Sequence, residues 1–198
     1  AYYPYASGKT LGSSISVDVS GAQTASSQAD IDLLWAKANN NGSGYTKATP
    51  NVALSFDHKL AKFVMNCTVE SNTGIVAGDF STAAVVINGM KTQTTLKLSD
   101  GAVGTASDPE AIIPNKLSTE SGFLASYDAI IVPAVYSAGD IKVVFTLNGE
   151  AYTWTLGAES FAGAAEYIYT VTLTRTGVKA TGTINPWTTV TRDPGTAE

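Results

Sequence analysis

Residues 166–175 alternate as a half-buried β-strand does. Tyr167, Tyr169, Val171 and Leu173 fall on one side of an extended chain, while Glu166, Thr170, Thr172 and Thr174 fall on the other. A period of two, carried by aromatic and β-branched residues, suits a pleated surface with one face in a core. The stretch that follows, up to Trp187, reads as its strand partner, so the chain is expected to be a β-protein.

The same pattern recurs. Ile15, Val17 and Val19 alternate with polar residues; Val52, Leu54 and Phe56 share a face; so do Ala61, Phe63, Met65, Cys67 and Val69. Short strands are expected at 85–87, 94–98, 127–135, 141–147 and 151–156. Asn148-Gly149 between two alternating runs predicts a type I′ hairpin turn, because both residues accept positive φ. Pro133 inside an apolar run predicts an edge or a bulge. The exception is residues 27–38, where Ile31, Leu34, Trp35 and Ala38 recur at helical spacing and Ser27 with Asp30 suggests an N-cap. Residues 39–44 read as the loop that stops this helix. Gly and Pro between 101 and 110 read as a linker or long loop. Many short strands with one helix predict an all-β fold of two sandwich domains, residues 1–104 and 105–198.

Composition removes several function classes. Charged residues make up 15% of the 198-residue chain, the net charge is −5 and the basic residues are scattered. Nucleic-acid binding needs a positive patch, so no nucleic-acid partner is expected. The longest apolar runs fall far short of the roughly 20 residues of a membrane helix. A single cysteine, Cys67, excludes a disulfide within the chain and a cysteine-rich zinc site.

The remaining chemistry is sparse. His58 follows Asp57, but neighbours on a strand point to opposite faces, so Asp57 is badly placed to orient it and a structural histidine is expected. Cys67 lies on an apolar face as a small hydrophobe. Asn66-Cys67-Thr68 fits a glycosylation sequon, read as accidental within a strand. Asp100, Asp108 and Glu110 could hold Ca²⁺ through oxygen ligands, but their spacing matches no EF-hand, and a solvated linker is the simpler reading. Tyr2, Tyr3, Tyr5 and Trp35 could stack on sugars, or belong to a strand and a core. No catalytic, cofactor-binding or metal-binding residue is assigned, no cofactor is expected, and the chain is not read as an enzyme.

Several segments, in order over nearly the whole chain, resemble the fimbrillin-like proteins of Bacteroidota. They are Tyr2-Tyr-Pro-Tyr5, Asp32-Leu-Leu-Trp-Ala36, Val52-Ala-Leu-Ser-Phe-Asp-His-Lys-Leu60, Ile131-Val-Pro133, residues 163–169 and Ile184-Asn-Pro-Trp187. The resemblance implies tandem transthyretin-like β-sandwiches and a structural role for His58. It also implies a structural or adhesive subunit of a cell-surface fimbria, exported across the outer membrane as a lipoprotein precursor. Subunits of this kind assemble by donating a β-strand to a neighbour, with surface ligands at a tip. In the family a substantial part of the N-terminal domain precedes the Tyr-Tyr-Pro-Tyr segment, so the first domain is expected to lack its early strands. Residues 188–198 are expected to donate a strand to, or dock at, an inter-subunit contact. Trp35 and Leu34 are expected to anchor the helix, Phe56, Phe63 and Met65 to build the first core, and Phe145, Trp154, Tyr169 and Leu173 the second. The rival reading is a glycan-binding module of a polysaccharide-uptake system. It requires Trp35 or Trp187 to lie open beside a groove.

Overall fold

Alternation at the end of the chain becomes the longest hairpin of the protein. A computed structural model describes residues 1–38, 45–46, 52–174 and 177–187. Among these the chain runs through β1 (Tyr2–Tyr3), β2 (Ser14–Asp18), β3 (Gly21–Ala22), the helix α1 (Ala25–Ile31), β4 (Leu34–Trp35), β5 (Asp57–His58) and β6 (Ala61–Val69). A 3-10 turn at Ala77–Ser81 leads to β7 (Ala84–Asn88), β8 (Lys91–Lys97), β9 (Ser107–Pro109), β10 (Ile112–Ile113), β11 (Asn115–Lys116) and β12 (Ala125–Ile131). The remainder is β13 (Ala134–Tyr136), β14 (Lys142–Leu147), β15 (Glu150–Thr155), β16 (Glu159–Phe161), β17 (Ala165–Thr174) and β18 (Gly177–Pro186).

Two five-stranded sheets dominate, in the orders β11-β12-β6-β17-β18 and β15-β14-β7-β10-β3. They face one another across a core of aromatic rings. Tyr127 of β12 meets Phe145 of β14 at 6.5 Å, and Tyr169 of β17 meets Trp154 of β15 at 5.0 Å. Such offset and edge-on pairs favour the aromatic quadrupoles as well as burying area. β6 and β17 run parallel in the middle of the first sheet, with Phe63 opposite Tyr167 and Met65 opposite Tyr169. Central strands are covered on both faces, which explains why Val64 and Asn66 are buried as well as Phe63 and Met65. The smaller sheets are β1-β4-β5, β2-β8-β9 and β13-β16.

The division at residue 104 does not follow these sheets. β6 lies between β12 and β17, and β7 lies between β14 and β10, so strands from both sides of the expected boundary are interleaved. Among the described residues, 1–104 form no sandwich of their own. One core cluster holds Met65 and Phe63 together with Phe145, Trp154, Tyr169 and Leu173. The 101–110 stretch is not a linker either. β9 pairs with β8, and Val103 bridges Leu96.

The helix is shorter and earlier than its pattern suggests. Thr24 is the N-cap, accepting from Ser27 N–H at 3.2 Å while Ser27 Oγ accepts from Thr24 N–H at 2.8 Å. It ends at Asp32, which is extended, and Leu34 and Trp35 form a strand paired with both β1 and β5. Leu33 and Ala36, which flank this two-residue strand, are buried. Leu34 and Trp35 therefore anchor a strand and not a helix, and both are half-buried. Residues 52–56 form no strand. Val52 is exposed and Phe56 half-buried outside the core, and the pairing with β4 takes in only Asp57 and His58. The hairpin at Asn148-Gly149 is as expected, with φ of 50° and 86°. Pro133 falls between β12 and β13. The loop expected at 39–44 and the tail 188–198 lie outside the described residues.

Candidate assembly interface

At His58 titratable and aromatic groups converge. The β4–β5 pairing places it opposite Leu34 and turns its ring inward, 6% exposed. Its Nδ1 lies 2.9 Å from one Asp32 oxygen and 2.8 Å from the other. A carboxylate can only accept, so Nδ1 carries the proton. Asp32 thus fills the role that Asp57 was too exposed to fill, a link across 26 residues that local sequence does not display. The Trp187 indole stacks on the imidazole at 3.8 Å and 7°. Nε2 is buried with no hydrogen-bond partner among the described residues. The arrangement fastens the end of β18 to the β4–β5 ribbon.

The other candidates separate. Cys67 is buried, and burial pushes its thiol up to about 12. Asp100 accepts from Lys97 Nζ and from the Ala102 N–H, which hold its carboxyl below the usual range; Asp108 accepts from Ser107 Oγ; Glu110 is exposed. Tyr2 and Trp35 are brought together as cross-strand partners and pack against the core, whereas Tyr3 and Tyr5 are exposed. Trp35 is held in place, its indole N–H donating to Leu98 O at 3.0 Å and Lys59 lying 5.0 Å above its ring. Gly101 presses so closely on that ring that a Cβ would stand 2.5 Å from it. With Trp187 stacked on His58, both tryptophans are engaged within the protein.

The two edges of the first sheet are treated differently. Beyond β12, β11 pairs with Asp128 and Tyr127, and Leu117 N–H donates to Ser126 O at 2.9 Å. Where β11 has ended, the buried Gln23 side chain takes over. Its Nε2 donates to Ile130 O at 2.9 Å and its Oε1 accepts from Ile130 N–H at 2.8 Å, imitating a paired strand residue. β12 is thus covered on that side, with the two-residue β11 as the outermost strand. The opposite edge is β18, which has no strand beyond it among the described residues. It is paired along all ten residues with β17, and Gly182 leaves room for the Tyr169 ring to lie across it, since a Cβ there would stand 2.8 Å from the ring. From Thr181 to Pro186 its residues are exposed, Ile184 by 66%. Edge strands are commonly guarded by charges, bulges or brevity. This one is long and carries one charge, Lys179. The outermost strand of the second sheet, β15, lies at the same margin, with Trp154 closing the core between them.

Comparisons with known proteins agree on one family. A family model described as fimbrillin-like matches residues 1–187. A candidate fimbrium subunit of Bacteroides uniformis, Fim1C, is 31% identical over 95% of this chain; the chain spans 60% of that relative's length. The crystal structure of a candidate cell adhesion protein from the same species superposes with a TM-score of 0.75 at 27% identity, covering 94% of this chain and 71% of that one. A fimbrial protein from Bacteroides vulgatus shares the fold, with a TM-score of 0.56 at 13% identity over 94% of this chain and 76% of that one.

Proposed function

The chain belongs to the fimbrillin-like family, and from that premise we propose that it is a structural and adhesive subunit of a cell-surface fimbria, assembling with other fimbrial subunits by β-strand addition. On this reading it reaches the surface by export across the outer membrane as a lipoprotein precursor, and its work is mechanical, with no catalytic step. The observation that carries the assembly mechanism is the open edge of β18 beside the plugged edge of β12. A row of unpaired N–H and C=O groups accepts a strand from another polypeptide; main-chain hydrogen bonds supply affinity, and alternate side chains supply register. Fim1C and the B. uniformis adhesion protein carry names of the same kind, which supports the reading.

The test is a photo-crosslinking residue placed at Thr183, on the exposed part of β18, in cells that display the protein. Irradiation is expected to join it to a second fimbrial subunit, identified by mass spectrometry. Display at the surface with no adduct at Thr183, but with adducts from an exposed site elsewhere such as Leu11, would move the contact away from this edge.

A further inference from the structure

We propose that the outer face of the β12-β6-β17 sheet carries a saccharide-binding groove. The parallel register of β6 and β17 sets Lys62 beside Glu166, Val64 beside Ile168 and Asn66 beside Thr170. Cross-strand partners project from the same face, and this is the face away from the aromatic core, since Phe63, Met65, Tyr167 and Tyr169 occupy the other. Where the segment ending in Phe123 passes over the sheet, it leaves a groove of about 400 Å³ against β6 and β17. That volume is at the lower end of small-molecule sites, roughly 300–1,000 Å³, and suits a ligand no larger than a disaccharide.

Asn66 lines this groove, 8% exposed, and its Oδ1 has no hydrogen-bond partner. Buried amides are ordinarily satisfied; this oxygen is itself sealed from solvent, so a ligand in the groove reaches it only once the carboxamide turns. A half-turn of the carboxamide exchanges donor for acceptor, so Asn66 can serve either need. Lys62 is held between Asp128 at 3.2 Å and Glu166 at 3.7 Å, which presents the Glu166 carboxylate in a fixed position. Val64, Ile168 and Phe123 supply an apolar wall.

These groups match a sugar ring. A pyranose offers vicinal hydroxyls that both donate and accept, and an apolar face of C–H groups. An anion would meet Glu166 and the nearby Glu120. A basic side chain would meet Lys62, which already neutralises the carboxylates there. The groove opens on the sheet face, and its β17 wall, Glu166 and Ile168, stands directly beside Asn185 and Thr183 of β18.

The experiment is saturation-transfer NMR of the whole chain with a panel of methyl glycosides of glucose, galactose, mannose, fucose and N-acetylglucosamine. Calorimetry of the tightest then follows on the parent chain and on Asn66→Leu and Glu166→Gln. Transfer to ring C–H protons is expected, with each substitution weakening binding by about tenfold, the loss of one hydrogen bond to a buried or charged group. Should the leucine variant fail to fold, the variant at the partly exposed Glu166 is the deciding one. The proposal is overturned if no glycoside binds at millimolar concentration, or if binding survives at full strength in a folded variant. It is equally overturned if n-butylamine binds the groove and the glycosides do not.

Discussion

Tyr127 carries its hydroxyl into the core beside Cys67, where it finds no partner. An unsatisfied buried hydroxyl costs about 1–3 kcal/mol. Tyr127→Phe keeps the ring and its contact with Phe145, so it is expected to stabilise the fold by about 1 kcal/mol, read as a higher urea midpoint at unchanged slope. Burial, and then the neighbouring Cys67, push the phenol up to about 12. A pKa raised in the folded state means that this stability is whole below the unfolded value, near 10, and is lost as pH climbs through about 12. The phenylalanine variant is expected to flatten that part of the alkaline unfolding curve. Cys67 follows the same logic. Its burial keeps the thiol protonated at neutral pH, and only the thiolate attacks. A disulfide reagent such as Ellman's is expected to leave it untouched at pH 8 in the native protein and to label it fully in urea. Labelling of the native chain at a rate comparable to the unfolded one would mean that β6 opens readily.

At the level of elements, Gln23 stands in for a strand that is not there. It donates to Val19 O at 2.8 Å and exchanges two bonds with Ile130, so Gln23→Leu keeps the volume but orphans three backbone groups. A loss of about 3 kcal/mol is expected from urea unfolding. A loss below about 0.5 kcal/mol, the scale of a surface change, would show that water replaces the amide and that the edge is less closed than it looks. Nothing near Gln23 in the sequence announces this role, because its partner is 107 residues away. The strands themselves were legible. Alternation located β2, β6, β14 and β17, and Asn148-Gly149 located the hairpin, because each depends on neighbours in the chain. Helical spacing at 31–38 misled for the opposite reason. Ile31, Leu34 and Trp35 satisfy a helical stripe, yet pairing with β1 and β5 and the Asp32–His58 contact come from distant segments, and they won. Of the candidate interface, the sequence showed the alternating strand β17 and its partner but not that, among the described residues, the outer edge of that partner, β18, is free.

The whole molecule turns on the interleaving of its two halves. A Gly- and Pro-containing stretch at 101–110 looks like a linker by composition, and composition cannot report which strands pair across it. In the fold, β6 contributes its full length between β12 and β17, and β7 sits between β14 and β10. Residues 1–104 alone would leave β6 and β7 as isolated strands with Phe63, Met65, Val85 and Ile87 uncovered. Residues 105–198 alone would lose the middle strand of one sheet and split the other. Two or three unpaired strands do not sustain a sheet without a face to pack on. Expressed separately, 1–104 and 105–198 are therefore each expected to lack a cooperative unfolding transition, and 105–198 to lack the near-ultraviolet signature of a packed Trp154. Co-expressed, or mixed from urea, they are expected to recover both as a one-to-one complex. A fragment that melts cooperatively by itself would restore the boundary at 104 and break the shared core into two. Recovery on mixing would instead show that this family's strands can complete a sheet when the backbone linking them is cut, the same physical event that addition of a strand from a neighbouring subunit requires.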